Sequence, residues 1–317
     1  MILPFSFPLL QQEKKTQHVS SVMIGTTEVI MKETGIIDIG SNTVVLKIYD
    51  ENGKDTENGY YSSAIHLISH IKDGLMQESG IQAALQVLRQ YRKILEERGV
   101  TEVYGLVTEP CRHISNRDAF LEALNSIGYE IRPLTGEEEA SYDFLGSRLD
   151  TSDISSGTAF DIGGGSTEIV SFCDGTVIHA LTSIPYGCLR LKDCPLERKI
   201  PLAIIQQETE RMPALLDYAG DILIGGGGTC RAVLLMHEKW FGNRHVSETD
   251  LSMMFDALKS GNKDAVEVLN ETVSEDRRDV ILPGINMILA MMEVFHASEL
   301  RCSSYGVREG YLLAHRQ

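Results

Sequence analysis

Apolar and polar positions alternate along the chain with two different periods. Residues 35–39 form an apolar run, Gly40, Ser41 and Asn42 a turn, and residues 43–49 an alternating run that predicts a returning strand. Asn52-Gly53 and Asn58-Gly59 predict further hairpin turns. Helical spacing follows: Leu85, Leu88, Tyr91, Ile94 and Leu95 share a face, Ser79 with Gln82 predicts the cap and Gly99 the stop. Strands over 101–107 and 129–134 alternate with helices opened by Ser115 with Asp118 and by Thr135 with Glu138. A second apolar run, 158–162, leads into a Gly163-Gly164-Gly165-Ser166 turn and a returning strand, so DIGSNTVVLKI at 38–48 is echoed by DIGGGSTEIVSF at 161–172. A third glycine turn, GGGGTCR at 225–231, follows a strand over 221–224. Helices over 201–218 (broken near Pro213), 229–240, 248–260, 263–273 and 280–297, a strand over 299–303 and a closing helix over 307–315 complete the pattern. Alternating strands and helices predict an α/β fold, and the repeated β-turn-β unit predicts two halves of like construction.

Composition narrows the class. The chain has 317 residues, 43% hydrophobic and 23% charged, which suits a soluble protein of two domains. The polar stretch 150–157 is the best boundary. The apolar segment 281–295 contains Pro283, Gly284, Asn286 and Glu293 and reads as a buried helix, not a membrane span. A net charge of −16 argues against a broad basic face for nucleic acid or anionic membrane. A small anionic substrate remains open, given a local nest of amides, a few arginines and a metal. Cysteines 111, 173, 188, 194, 230 and 302 show no CxxC pair and read as free thiols in a reducing cytoplasm. Residues 1–32 lack a basic leader before their apolar stretch and read as a loose extension.

Candidate chemistry gathers at the turns. Asp38 and Asp161 each sit in an apolar strand just before a glycine turn. A carboxylate there is heavily desolvated unless it is paired, binds a metal or caps its own turn; repetition in two echoed units favours function. Three glycine turns after apolar strands can each point successive amides at a phosphate, although no Walker A or GxGxxG sequence is present. Glu168 alternates onto a polar strand face. Glu137, Glu138 and Glu139 open a helix, where acids offset the dipole, and one of them can project between the halves as a general base. Arg112 and Arg308 are the leading phosphate-binding cations, Arg190 and Arg231 weaker ones. His66 and His70 fall in a predicted strand and read as surface residues.

IIDIGSNTVVLKI, VTEPCRHISNRDAFLEAL, TGEEEA, FDIGGGSTEIV, SIPYGCLRL, GGGGTCRAV, and ILPGINMIL with SSYGVREGYL resemble, in order, the motifs of the exopolyphosphatase / guanosine pentaphosphate phosphohydrolase family of the actin–Hsp70–sugar-kinase superfamily. The resemblance implies an α/β fold of two RNase-H-like domains facing across a central cleft. The first would span 33–155 and be joined by the C-terminal helix 304–317; the second would span 156–303. It implies Glu139 as catalytic base and Asp161 and Glu168 as metal-binding carboxylates, with Mg²⁺ as cofactor. Asp38, Gly40, Ser41 and Asn42 on one side, and Gly163, Gly164, Gly165 and Ser166 on the other, would enclose substrate phosphates held by Arg112 and Arg308. The substrate would be inorganic polyphosphate or guanosine pentaphosphate, hydrolysed at a terminal phosphoanhydride by a cytoplasmic protein with no nucleic-acid or membrane partner. The Leu- and Met-rich segment 281–295 leaves room for a homodimer. Val44, Val45 and Leu46 stand where some members carry Arg or His, Glu109, Pro110 and His113 vary the second motif, and the helical C-terminal domain of longer members is not represented. A small-molecule kinase of the same superfamily and a non-catalytic polyphosphate-binding protein are the rival classes.

Overall fold

A computed structural model describes residues 32–316. The extension expected over 1–32 lies outside the described residues apart from Lys32, which pairs with Glu102 at 2.8 Å.

Strands β1 (Thr34–Ile39), β2 (Thr43–Tyr49) and β3 (Asp55–Ala64) open the fold, and a small hairpin, β4 (Ile71–Lys72) and β5 (Leu75–Met76), leads into α1 (Glu78–Arg98). Next come β6 (Glu102–Val107), α2 (Arg117–Asn125), β7 (Ile131–Pro133) and α3 (Gly136–Ser147). The second half has β8 (Gly157–Ile162), β9 (Thr167–Cys173), β10 (Val177–Ile184), α4 (Cys188–Leu191), α5 (Lys199–Arg211), β11 (Ile222–Gly226), α6 (Gly227–Phe241) and β12 (Val246–Ser247). It closes with α7 (Glu248–Lys259), α8 (Lys263–Thr272), α9 (Arg278–Val294), β13 (Glu299–Cys302) and α10 (Val307–His315). The first sheet runs β3-β2-β1-β6-β7 and the second β10-β9-β8-β11-β13-β12. In each, three antiparallel strands continue into two parallel ones, with β12 added antiparallel at the edge of the second, so the halves repeat one RNase-H-like plan.

Three local expectations change. Asn58-Gly59 is not a turn: it lies inside β3, with Asn58 at φ 52 and the β2–β3 register slipping between Lys47 and Tyr49. A largely exposed edge strand lacks an apolar run, so its bulge imitates a turn signal. Ser79 lies within α1, not at its start, and its hydroxyl meets the ring of His70, which with His66 belongs to a half-buried 3-10 turn and its flank, not a strand.

α3 and α10 join the halves. Ala140 and Phe144 of α3 pack on Ala159, Val170, Phe172 and Ile224 of the second sheet. Val307, Tyr311 and Leu312 of α10 pack on Ile36, Tyr49 and Leu106 of the first. The two helices then meet backbone to backbone: a Cβ on Gly310 would lie 1.9 Å from the Tyr142 carbonyl oxygen, and one on Gly146 2.1 Å from that of Gly306. Backbone has no rotamer by which to yield. Gly310→Ala is therefore expected to lower stability by about 1–3 kcal/mol, read from urea unfolding midpoints; an unchanged midpoint would show that the helices can separate freely.

Candidate active site

Both echoed hairpins end in one cleft between the sheets, lined by Asp38, Ser41, Asn42, Glu139, Asp161 and Arg308 among others. On β8–β9, Asp161 and Glu168 stand directly opposite each other; the matching pair on β1–β2 is Asp38 and Val45. The second hairpin thus carries a facing pair of carboxylates, Asp161 lining the cleft and Glu168 buried behind it, where the first carries only one.

α3 adds two more. Thr135 and Glu138 form the expected capping box, with Glu138 also paired to Arg132. Glu137 is exposed, and Glu139 is the member of the acidic triplet that lines the cleft. One helical turn on, Asp143 falls on the same side. Oxygen atoms of Glu139, Asp143 and Glu168 lie within 4.8 Å of one another. Asp143 escaped the sequence reading although its spacing of four from Glu139 was a usable signal.

Burial governs the charge of this cluster. It pushes the Glu139 and Asp143 carboxyls well above the ordinary carboxylate range, aided by Glu168 at the first and Asp161 at the second. It raises Asp161 against the pull of Arg231, and Glu168 to about 7 against the pull of Arg112. The helix-dipole argument for an easily ionised Glu139 is thereby outweighed, because removing a carboxylate from water beside other carboxylates is the larger effect. An Asp161 Oδ1 without a hydrogen-bond partner adds to the imbalance. Hard oxygen donors alone, with too few cations for their charge, fit a small hard dication such as Mg²⁺.

The arginines divide unexpectedly. Arg112 pairs with Glu139, reaches Ser183 at 3.2 Å and Ser166 at 3.3 Å, and lies 3.7 Å from Glu168. Arg308 donates to Asp38 at 2.9 Å. Both expected phosphate ligands are thus matched by carboxylates. Arg231 and Arg277 line the same cleft with no ion pair among the described residues. Arg277 was missed: it folds over Gly228, whose Cβ would lie 1.7 Å from its Nη1, a contact that no local pattern announces.

The turns are set by backbone. Gly40 and Gly163 donate to Thr43 and Ser166 carbonyls, each at 3.0 Å, and so close their own turns. The amides of Ser41, Asn42, Gly164 and Gly165 have no partner among the described residues. The Gly163 and Gly164 carbonyls are instead held by amides at the start of α4, from Cys188 at 3.0 Å and Leu189 at 2.9 Å. Gly187 permits this approach, since a Cβ there would lie 2.5 Å from the Gly163 carbonyl oxygen.

Two RNase-H-like halves thus enclose an acidic, glycine-lined cleft. The chain matches the Ppx/GppA phosphatase family over residues 69–316 and belongs to it. It is 23% identical over 287 residues to a guanosine-5'-triphosphate,3'-diphosphate pyrophosphatase of Vibrio vulnificus, covering 86% of this chain and 57% of the relative. The chain therefore spans little more than half the length of the curated relatives it matches. A crystal structure of the Ppx/GppA family member from Aquifex aeolicus superposes with a TM-score of 0.74 at 25% identity, covering 90% of this chain and 97% of that one. An exopolyphosphatase structure from Cytophaga hutchinsonii shares the fold, with a TM-score of 0.78 at 22% identity, over 89% of this chain and 97% of that one. Among the described residues no helix is long and apolar enough to cross a membrane.

Stability should vary with pH in two limbs. Glu168, raised from an ordinary 4.5 to about 7, contributes stability that is fully present below pH 4.5 and lost as pH rises through 7. Glu309 behaves oppositely: burial would raise it, but Arg308 and Lys47 prevail and lower it from 4.5 to about 2. Its contribution is present above pH 4.5 and lost as pH falls through 2. In chelator the melting temperature should peak near about pH 5 and fall toward about pH 8, and Mg²⁺ should restore the alkaline limb, because the ion binds the ionised carboxylates. A flat metal-free profile from pH 5 to 8 would contradict the burial account.

Proposed function

We propose that the protein hydrolyses terminal phosphoanhydride bonds of inorganic polyphosphate or guanosine pentaphosphate with the aid of Mg²⁺. The observation that carries this reading is the convergence of Glu139, Asp143 and Glu168 beside two glycine turns with unused amides. Substrate phosphates would be held by the amides of Ser41, Asn42, Gly164 and Gly165, with Arg231 and Arg277 providing the cations that Arg112 and Arg308 share with carboxylates. Asp143, Asp161 and Glu168 would hold the dication, which when bound offsets charge on the phosphoryl group and restores the ionised state of its neighbours. Glu139, fixed by Arg112, takes a proton from water as the water oxygen bonds to the terminal phosphorus. The bridging P–O bond breaks, and orthophosphate and a chain one unit shorter leave. Positioning and electrostatics supply most of the rate, as in phosphoryl transfers generally.

The test is to incubate purified protein and Mg²⁺ with polyphosphate, with guanosine pentaphosphate, and with ATP plus sugars. Release of orthophosphate from either of the first two is expected. Sugar-dependent consumption of ATP alone would establish a kinase instead, and binding without turnover a non-catalytic receptor.

A further inference from the structure

The two phosphate turns are not separated by open space. A Cβ on Gly164 would lie 3.3 Å from that of Ser41, and one on Gly165 would lie 2.7 Å from Ser41 Oγ and 2.2 Å from Glu109 Oε2. Glu109 follows β6 and is only 3% exposed. Its carboxylate accepts from the Ser41 hydroxyl at 2.7 Å and pairs with the Arg190 guanidinium. Arg190 Nε also donates to the Gly165 carbonyl at 3.0 Å. A serine hydroxyl and a forked guanidinium thus converge, between the two glycine turns, on two buried carboxylate oxygens. That donor set suits a phosphate group equally well, and nothing assigned above uses Glu109.

We propose that Glu109 is an internal anion filling a phosphate subsite between the two turns, and that a substrate phosphate enters this subsite by displacing it. Ser41 and Arg190 then pass from the carboxylate to the phosphate. Because Glu109 belongs to the first half and Arg190 to the second, the same contact holds the turns together until substrate arrives. Arg190 gives the route in, since its side chain is 35% exposed beside a partner that is nearly sealed. Glu109 therefore sets how strongly the cleft selects for polyanions: a single phosphate competes poorly with a tethered carboxylate, whereas a chain anchored elsewhere in the cleft can displace it. The identity of the polyanion rests on the hydrolase reading; the subsite itself does not.

Calorimetric titration of the full chain with inorganic phosphate and with tripolyphosphate, at fixed ionic strength, tests this without turnover. Glu109→Gln keeps the shape and removes the charge, and it should bind phosphate about tenfold more tightly, equivalent to about 1.4 kcal/mol. Arg190→Ala should change phosphate binding little in the native background and weaken it about tenfold in the Glu109→Gln background, because only there is the guanidinium free. If Glu109→Gln does not fold, Glu109→Ser serves with the same expectation. Unchanged or weaker phosphate binding, or an Arg190→Ala effect equal in both backgrounds, overturns the proposal. Binding that follows this pattern without any hydrolysis of polyphosphate would count against the hydrolase reading alone.

Discussion

Glu139→Gln should lower kcat by about 10²–10⁴-fold, the usual contribution of a general base, with KM equal or lower. The substitution keeps shape and removes the proton acceptor. It also takes one negative charge from beside a polyanion and releases Arg112, the partner of Glu139, toward substrate oxygens. Affinity should therefore hold or improve while turnover collapses, a split that simple misfolding does not produce. Glu137→Gln should do little, because Glu137 is exposed at the start of α3 and offsets the dipole by about 0.3–1 kcal/mol. Glu138→Gln should reduce stability slightly, through the lost charge of the Arg132 pair, while keeping the capping box and leaving kcat largely in place. Steady-state kinetics on the three variants decide the matter. A dead Glu138→Gln beside a normal Glu139→Gln would reverse the assignment, and three active variants would move the base elsewhere.

Removing a carboxylate from the cation cluster should have the next largest effect. Even outer-shell partners of metal ligands are worth about 10–100-fold in metal affinity, so loss of a ligand should reach at least that. Glu168→Gln and Asp143→Asn should each raise the Mg²⁺ concentration for half-maximal activity by about 100-fold or more. Asp161→Asn ranks the alternatives. Asp161 stands opposite Glu168 across the hairpin, yet the mutually close oxygens are those of Glu139, Asp143 and Glu168. If Asp161→Asn leaves the Mg²⁺ dependence intact while Asp143→Asn shifts it, the helix and not the strand supplies the second ligand. Metal-free protein should also gain thermal stability in each variant, because a buried, raised carboxyl is costly to ionise. Activity undiminished in excess chelator would dispose of the cation altogether.

Much of this was legible along the chain. The β-turn-β echo placed Asp38 and Asp161 at equivalent strand ends, because period-two alternation fixes which residues share a face. The Thr135–Glu138 cap and the Gly99 stop were readable because they are local hydrogen-bond chemistry, complete within a few residues. The bulge at Asn58-Gly59 was not, since the same residue types serve turns and bulges and only pairing to β2 separates them.

The sequence by itself determined the two-halved α/β plan, the two glycine turns of the echoed hairpins and the acidic residues near them, whereas the third glycine run is no turn: β11 ends at Gly226 and α6 begins at Gly227. Each feature so determined depends on contacts within one hairpin or one helical turn. Only the tertiary structure decided which charges meet: Arg112 with Glu139, Arg308 with Asp38, Glu109 with Ser41 and Arg190, and Arg277 over Gly228. Those partners lie on different elements brought together where the sheets face each other and where α3 and α10 cross between them. Burial then reversed the ionisation expected of Glu139, because desolvation depends on everything packed around a group and not on the residues beside it in the chain.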